Sequence, residues 1–94
     1  LTRFVRNRRD GNHGLIVEAL EKAGVGVVDL SDAGGGVPDL CCWAPRLNRW
    51  VWVEIKEKRG RLRKSQEEFK KRYPVVVART IREALAACGI AVGE

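Results

Sequence analysis

A chain of 94 residues with a 45% apolar fraction is one small globular domain, too short for a second core and helped by any further burial in a dimer. A formal charge of +6 and a pI near 9.7 argue against an acidic partner and for a polyanionic one. Three cysteines, two of them adjacent, exclude a disulfide framework, one histidine excludes a four-ligand zinc site, and no apolar run is long enough to span a membrane.

The first nine residues, LTRFVRNRR, have no clear period and read as a basic arm (1–9) ahead of a single domain (10–94). A helix is predicted to start near Asp10 or Asn12, either of which can cap it. Leu15, Ile16, Ala19, Leu20 and Ala23 recur at helical spacing, and Gly24 stops the run. VGVVDL (25–30) is rich in β-branched residues and reads as a strand. The run Gly34-Gly35-Gly36 then predicts a loop open to close approach, leading to a second strand over 39–43. Pro45 and Asn48 mark the turn into a third strand over 50–56.

After the polar, basic loop EKRGRLRK (57–64), Ser65 and Glu68 form a capping-box pattern for a second helix that Pro74 ends. VVVA (75–78) is wholly apolar and predicts a strand inside the sheet. Thr80 and Glu83 repeat the capping-box pattern and open a last helix that Gly89 closes. The predicted order is αβββαβα, one α/β domain.

Asp39, Glu54 and Lys56 carry the chemistry. Residues two apart in a strand share a face, so Glu54 and Lys56 point together while Ile55 points away, and a hairpin can bring Asp39 beside them. Two carboxylates and an ammonium on one patch suit metal-dependent phosphodiester hydrolysis. Mg²⁺ or Mn²⁺ binds oxygen ligands, activates water and offsets developing charge. Asp39, Glu54 and the Ile55 backbone carbonyl are the candidate ligands, and Lys56 the residue that orients water or stabilises charge. An acid–x–lysine triplet alone is more often a solvated hairpin face than a site. What strengthens it is the preceding GGGVPDL: Pro38 belongs at a strand start, and the glycines could admit a nucleic-acid backbone.

GGGVPDL, VEIK, RLRKSQEEF and VVVARTIREAL together resemble the VRR-NUC family of the PD-(D/E)xK nucleases, over about residues 10–89. The resemblance implies a restriction-endonuclease-like core, αβββαβ(α), with a central mixed four-stranded sheet flanked by helices. It also implies that Asp39 and Glu54 are metal ligands, that Lys56 is the catalytic lysine, and that Gln66 stands near the site on the following helix. Without it, Gln66 reads as an exposed helix residue. Many relatives carry a further acid on the first helix. Here Glu18 falls well away from the apolar face, leaving either His13 in that place or a site without a fourth group.

Basic residues gather in the arm (Arg3, Arg6, Arg8, Arg9), after the acid–x–lysine (Lys58, Arg59, Arg61, Arg63, Lys64) and on the second helix (Lys70, Lys71, Arg72). The middle group leaves directly from the catalytic strand and is expected, with Gly35 and Gly36, to lie along DNA. Such contacts are sequence-independent, with a salt slope of about −0.9 per neutralised phosphate. No base-reading motif is present, so the expectation is structure-selective cutting of Holliday junctions or other branched DNA in replication, repair or recombination. Trp43, Trp50 and Trp52 suit packing under a helix, then a homodimer interface, then base stacking.

The expected location is the cytoplasm of a bacterial cell or phage-infected host, with no membrane partner and no organic cofactor. A non-catalytic nucleic-acid-binding module, a restriction-type or nicking nuclease, and a structural protein pairing through its tryptophans are the alternatives. The chain also lacks an initiating Met, which reads as a late start.

Overall fold

Alternating apolar residues in the middle of the chain build a hairpin that organises everything else. In the computed structural model, which describes residues 11–92, β2 (Leu40–Ala44) and β3 (Arg49–Ile55) pair antiparallel, with Leu40 opposite Val53 and Cys42 opposite Val51. A tight turn joins them, in which the amides of Leu47 and Asn48 donate to the Ala44 carbonyl. Asn48 adopts a left-handed φ of 54°, tolerable for its short polar side chain. β1 (Gly26–Asp29) adds antiparallel to β2, and β4 (Val75–Ala78) adds parallel to β3, giving the order β1-β2-β3-β4. The observed order, α1β1β2β3α2β4α3, is the predicted one, and the sheet is mixed and four-stranded.

The period-two alternation separates the two faces of the sheet. Leu40, Cys42, Ala44, Val51, Val53 and Ile55 turn to one side and form the core with Ile16, Val17 and Leu20 of α1 (His13–Lys22) and Ala84 of α3 (Ile81–Ala87). Full burial of residues such as Ile16, Leu20, Leu40 and Ile55 stabilises the fold by about 1.5–3 kcal/mol each. The opposite face carries Trp52 and Glu54, covered by α2 (Lys64–Arg72) through a Trp52–Phe69 edge contact at 5.2 Å. Of the other tryptophans, Trp43 meets Trp50 edge-on at 5.4 Å, and Trp50 stays 56% exposed, so core packing describes Trp52 and not Trp50. Cys41, Cys42 and Cys88 are all free. None of the helices among the described residues is long and apolar enough to cross a membrane.

Three local expectations are corrected. β4 lies at an edge of the described sheet rather than inside it: only Ala78 is fully buried, Val75 and Val77 on the face of Trp52 and Glu54 are half-buried, and Val76 on the core face is exposed. α2 starts at Lys64, ahead of the Ser65–Glu68 pattern, because the reach-back comes from Gln66: its Oε1 accepts from the Arg63 amide at 2.8 Å. Asn12 precedes α1 without a side-chain cap; its amide instead donates to the Arg79 carbonyl at 3.2 Å and the Lys56 carbonyl at 3.5 Å, tying α1 to the ends of β4 and β3. The Thr80 pattern does cap α3, with Oγ1 accepting from the Glu83 amide at 3.0 Å. The basic arm and Asp10 lie outside the described residues.

Candidate active site

Because β2 and β3 run antiparallel with Leu40 opposite Val53, the residue before β2 falls opposite Glu54. That residue is Asp39. Its carboxylate Oδ2 accepts from the Ile55 amide at 2.9 Å, and its own amide donates to Glu54 Oε1 at 3.2 Å. Each acid therefore holds the other's strand, and the two carboxylates are brought together at the end of the hairpin. The Lys56 amide donates across to the Ala78 carbonyl at 3.1 Å. The peptide is trans, so the Ile55 carbonyl points the opposite way, toward the β2 side where Asp39 lies.

Glu54 is 3% exposed, deep for a carboxylate. Its Oε2 accepts from Gln66 Nε2 at 2.9 Å and lies 3.8 Å from Lys56 Nζ. Gln66 is itself buried, with its oxygen committed to the Arg63 amide, so its NH₂ can only face Glu54. One side chain thus starts α2 and orients a site acid. Burial, and then the charge of Asp39, push the Glu54 carboxyl up to about 7, with Lys56 partly opposing. In bare protein the site therefore disfavours the charged form of Glu54, chiefly because the carboxyl is buried.

The structure therefore gathers Asp39, Glu54, Lys56 and Gln66, including the glutamine that sequence alone would have left on the surface. It does not bring His13 to them. His13 is on α1, across the sheet, where its Nε2 lies 3.0 Å from Asp29 Oδ2, and Ser31 donates to the other oxygen of Asp29. Of the two alternatives, His13 in the place of the helix-one acid or a site without a fourth group, the observed His13 contact is with Asp29, on the core face that α1 packs against, whereas Glu54 points from the other face. Glu18 is exposed and reaches Lys22 at 4.0 Å. No group of three His, Cys, Asp or Glu side chains suited to a metal occurs among the described residues.

Of the expected DNA-facing glycines, Gly35 borders open space, whereas Gly36 does not: a Cβ there would overlap the Ser65 backbone. Gly36, at φ 85°, serves the close approach of this chain's own α2, and so locks the glycine loop to the helix that carries Gln66. Lys58, Arg59, Arg61, Arg63 and Lys64 are exposed beside the site. Sequence reasoning missed what shapes their loop. Arg79 Nη1 donates to the Glu57 and Gly60 carbonyls at 2.7 Å each, with the Lys58 carbonyl at 3.4 Å. A lone arginine closing an apolar strand was the available signal.

A family model, the VRR-NUC domain, matches residues 5–85. The chain belongs to the VRR-NUC family. VRR-NUC domains lie within the PD-(D/E)xK superfamily, so the protein is a nuclease of that type with DNA as its substrate. Nucleases of this superfamily generally use divalent metals. No similar curated protein and no similar solved structure was found.

Proposed function

We propose that this VRR-NUC protein is a Mg²⁺- or Mn²⁺-dependent endonuclease that hydrolyses DNA phosphodiester bonds and selects branched structures. The observation that carries the reading is the mutual clasp of Asp39 and Glu54, with Glu54 pushed up to about 7 by burial and by its neighbour's charge. This donor set fits a hard divalent cation, which favours carboxylate and carbonyl oxygens and often takes only one or two carboxylates. Asp39, Glu54 and the Ile55 carbonyl would hold the ion, which when bound supplies Lewis-acid polarisation of the phosphate and a more acidic water.

The remaining work falls to the chain's own side chains. Gln66 keeps Glu54 in one rotamer. The Lys56 ammonium stands beside Glu54, where it can stabilise charge on the phosphate oxygens or orient the attacking water. The exposed cations of 58–64 contact backbone phosphates without reading bases, which favours selection by shape. The exposed Trp50 on the hairpin supports a homodimer, in which two sites could act on two strands of a junction.

The test is incubation with synthetic four-way junctions, flaps and plain duplexes in Mg²⁺, Mn²⁺ or EDTA. Cleavage of branched DNA that EDTA stops is expected, lost in Glu54→Ala and Lys56→Ala while DNA binding persists. Folded protein that binds DNA without metal-dependent cleavage is instead a non-catalytic binding module.

A further inference from the structure

Three aromatic rings run outward from the site face of the sheet along α2. Trp52 meets Phe69 at 5.2 Å, Phe69 meets Tyr73 at 4.8 Å, and Tyr73 ends the series 47% exposed. Beside them lies an open groove of about 490 Å³, within the range of small-ligand sites, bordered by Gly35, Ser65, Glu68, Phe69, Arg72 and Tyr73. Ser65 is next to Gln66, which holds Glu54, so one end of this groove adjoins the candidate active site. Tyr73 marks the other end. Ser65 and Tyr73, the residue that follows α2, are eight residue steps apart, about 12 Å at the helical rise, or three to four stacked nucleotides at about 3.4 Å each.

We propose that this groove takes an unpaired nucleotide of the cleaved strand, its base stacked on Tyr73. The proposal rests on the nuclease reading and specifies its substrate class: DNA in which single-stranded nucleotides adjoin the cut, such as a flap or a splayed arm, ahead of a fully paired junction. The chemistry is divided along the groove. Lys71 and Arg72 offer cations for backbone phosphates, and Lys70 with Lys71 continues the basic surface along the same helix. Glu68 repels phosphate but can accept from a base amino group, which orients the base inward and the backbone outward. A tyrosine face stacks on any base with little sequence preference, and only an unpaired base exposes its own face to it. Gly35 leaves the groove entrance clear of side chain.

The experiment compares the parent protein, Tyr73→Ala and Tyr73→Trp on a flap, a splayed arm, a plain duplex and a paired four-way junction. A parallel set of flaps carries 2-aminopurine three or four nucleotides from the branch and is read by fluorescence in EDTA. The parent is expected to prefer flap over duplex and to quench the probe. Tyr73→Ala should lower that preference about tenfold and abolish quenching, and Tyr73→Trp should restore both. An unchanged preference, an unquenched probe with the parent, or an equal loss on all four substrates in Tyr73→Ala overturns the proposal. Failure of the parent to cleave any DNA defeats the nuclease reading instead, and quenching in EDTA then still decides the stacking site.

Discussion

Replacing Glu54 by Gln should change how stability depends on pH, by an amount that follows from the site. Burial and Asp39 raise the Glu54 carboxyl from 4.5 to about 7 in the folded protein. Between those values the folded state holds a proton that the unfolded state has released, so stability falls as pH rises. The stabilisation is fully present below about 4.5 and is lost by the time pH passes about 7. At about 1.4 kcal/mol per pH unit the full loss is about 3–4 kcal/mol, which at about 4–8 °C per kcal/mol lowers Tm by more than about 10 °C.

Glu54→Gln removes the titration but not the packing. It should also lose one hydrogen bond, because the Asp39 amide and Gln66 Nε2 both donate to Glu54 and a glutamine offers only one oxygen. That costs about 1–3 kcal/mol at every pH. The two proteins should therefore diverge at pH 5, where the parent is more stable, and converge or cross at pH 8. Urea unfolding followed by tryptophan fluorescence in EDTA at both pH values measures the difference. Parallel pH profiles for parent and variant would refute the argument that Glu54 carries the charge stress. Adding Mg²⁺ at pH 8 should then restabilise the parent and not Glu54→Gln, because the ion binds the ionised, folded site.

Two further outcomes follow from contacts outside the acid pair. Gly36→Ala should destabilise by about 2–5 kcal/mol, combining left-handed strain with overlap at Ser65. Gly35→Ala should cost only about 1–2 kcal/mol, since its space is open; equal effects in thermal unfolding would count against the intramolecular role of Gly36. Arg79→Ala should free the 57–60 loop, speeding its amide hydrogen exchange and weakening DNA binding about tenfold, with Arg79→Lys recovering part of both, because all the contacts come from the one nitrogen Nη1 and an ammonium also carries three donors on one nitrogen. Unchanged exchange in Arg79→Ala would show that the loop holds itself.

What could be read from the chain was what depends on near neighbours. Alternation placed Glu54 with Lys56 and opposite to Ile55, and the turn residues at 45–48 supplied the hairpin that brings Asp39 alongside. Element order followed from periodicity, punctuated by Gly24 and Pro74. Errors arose where two local patterns competed or a distant partner decided. Ser65–Glu68 looked like the start of α2, but Gln66 begins the helix earlier and also bonds Glu54. An apolar β4 looked enclosed, but strand order alone sets who its neighbours are.

The sequence by itself determined that Glu54 and Lys56 share a face, because a strand's two-residue period puts side chains on a face without reference to anything far away. Only the tertiary structure decided what surrounds them. Gln66 came to Glu54, Arg79 to the basic loop and Ser65 to Gly36, while His13 went to Asp29 across the sheet. Each of these contacts joins separate elements of the fold, and no periodicity encodes which face of a folded sheet a helix will cover.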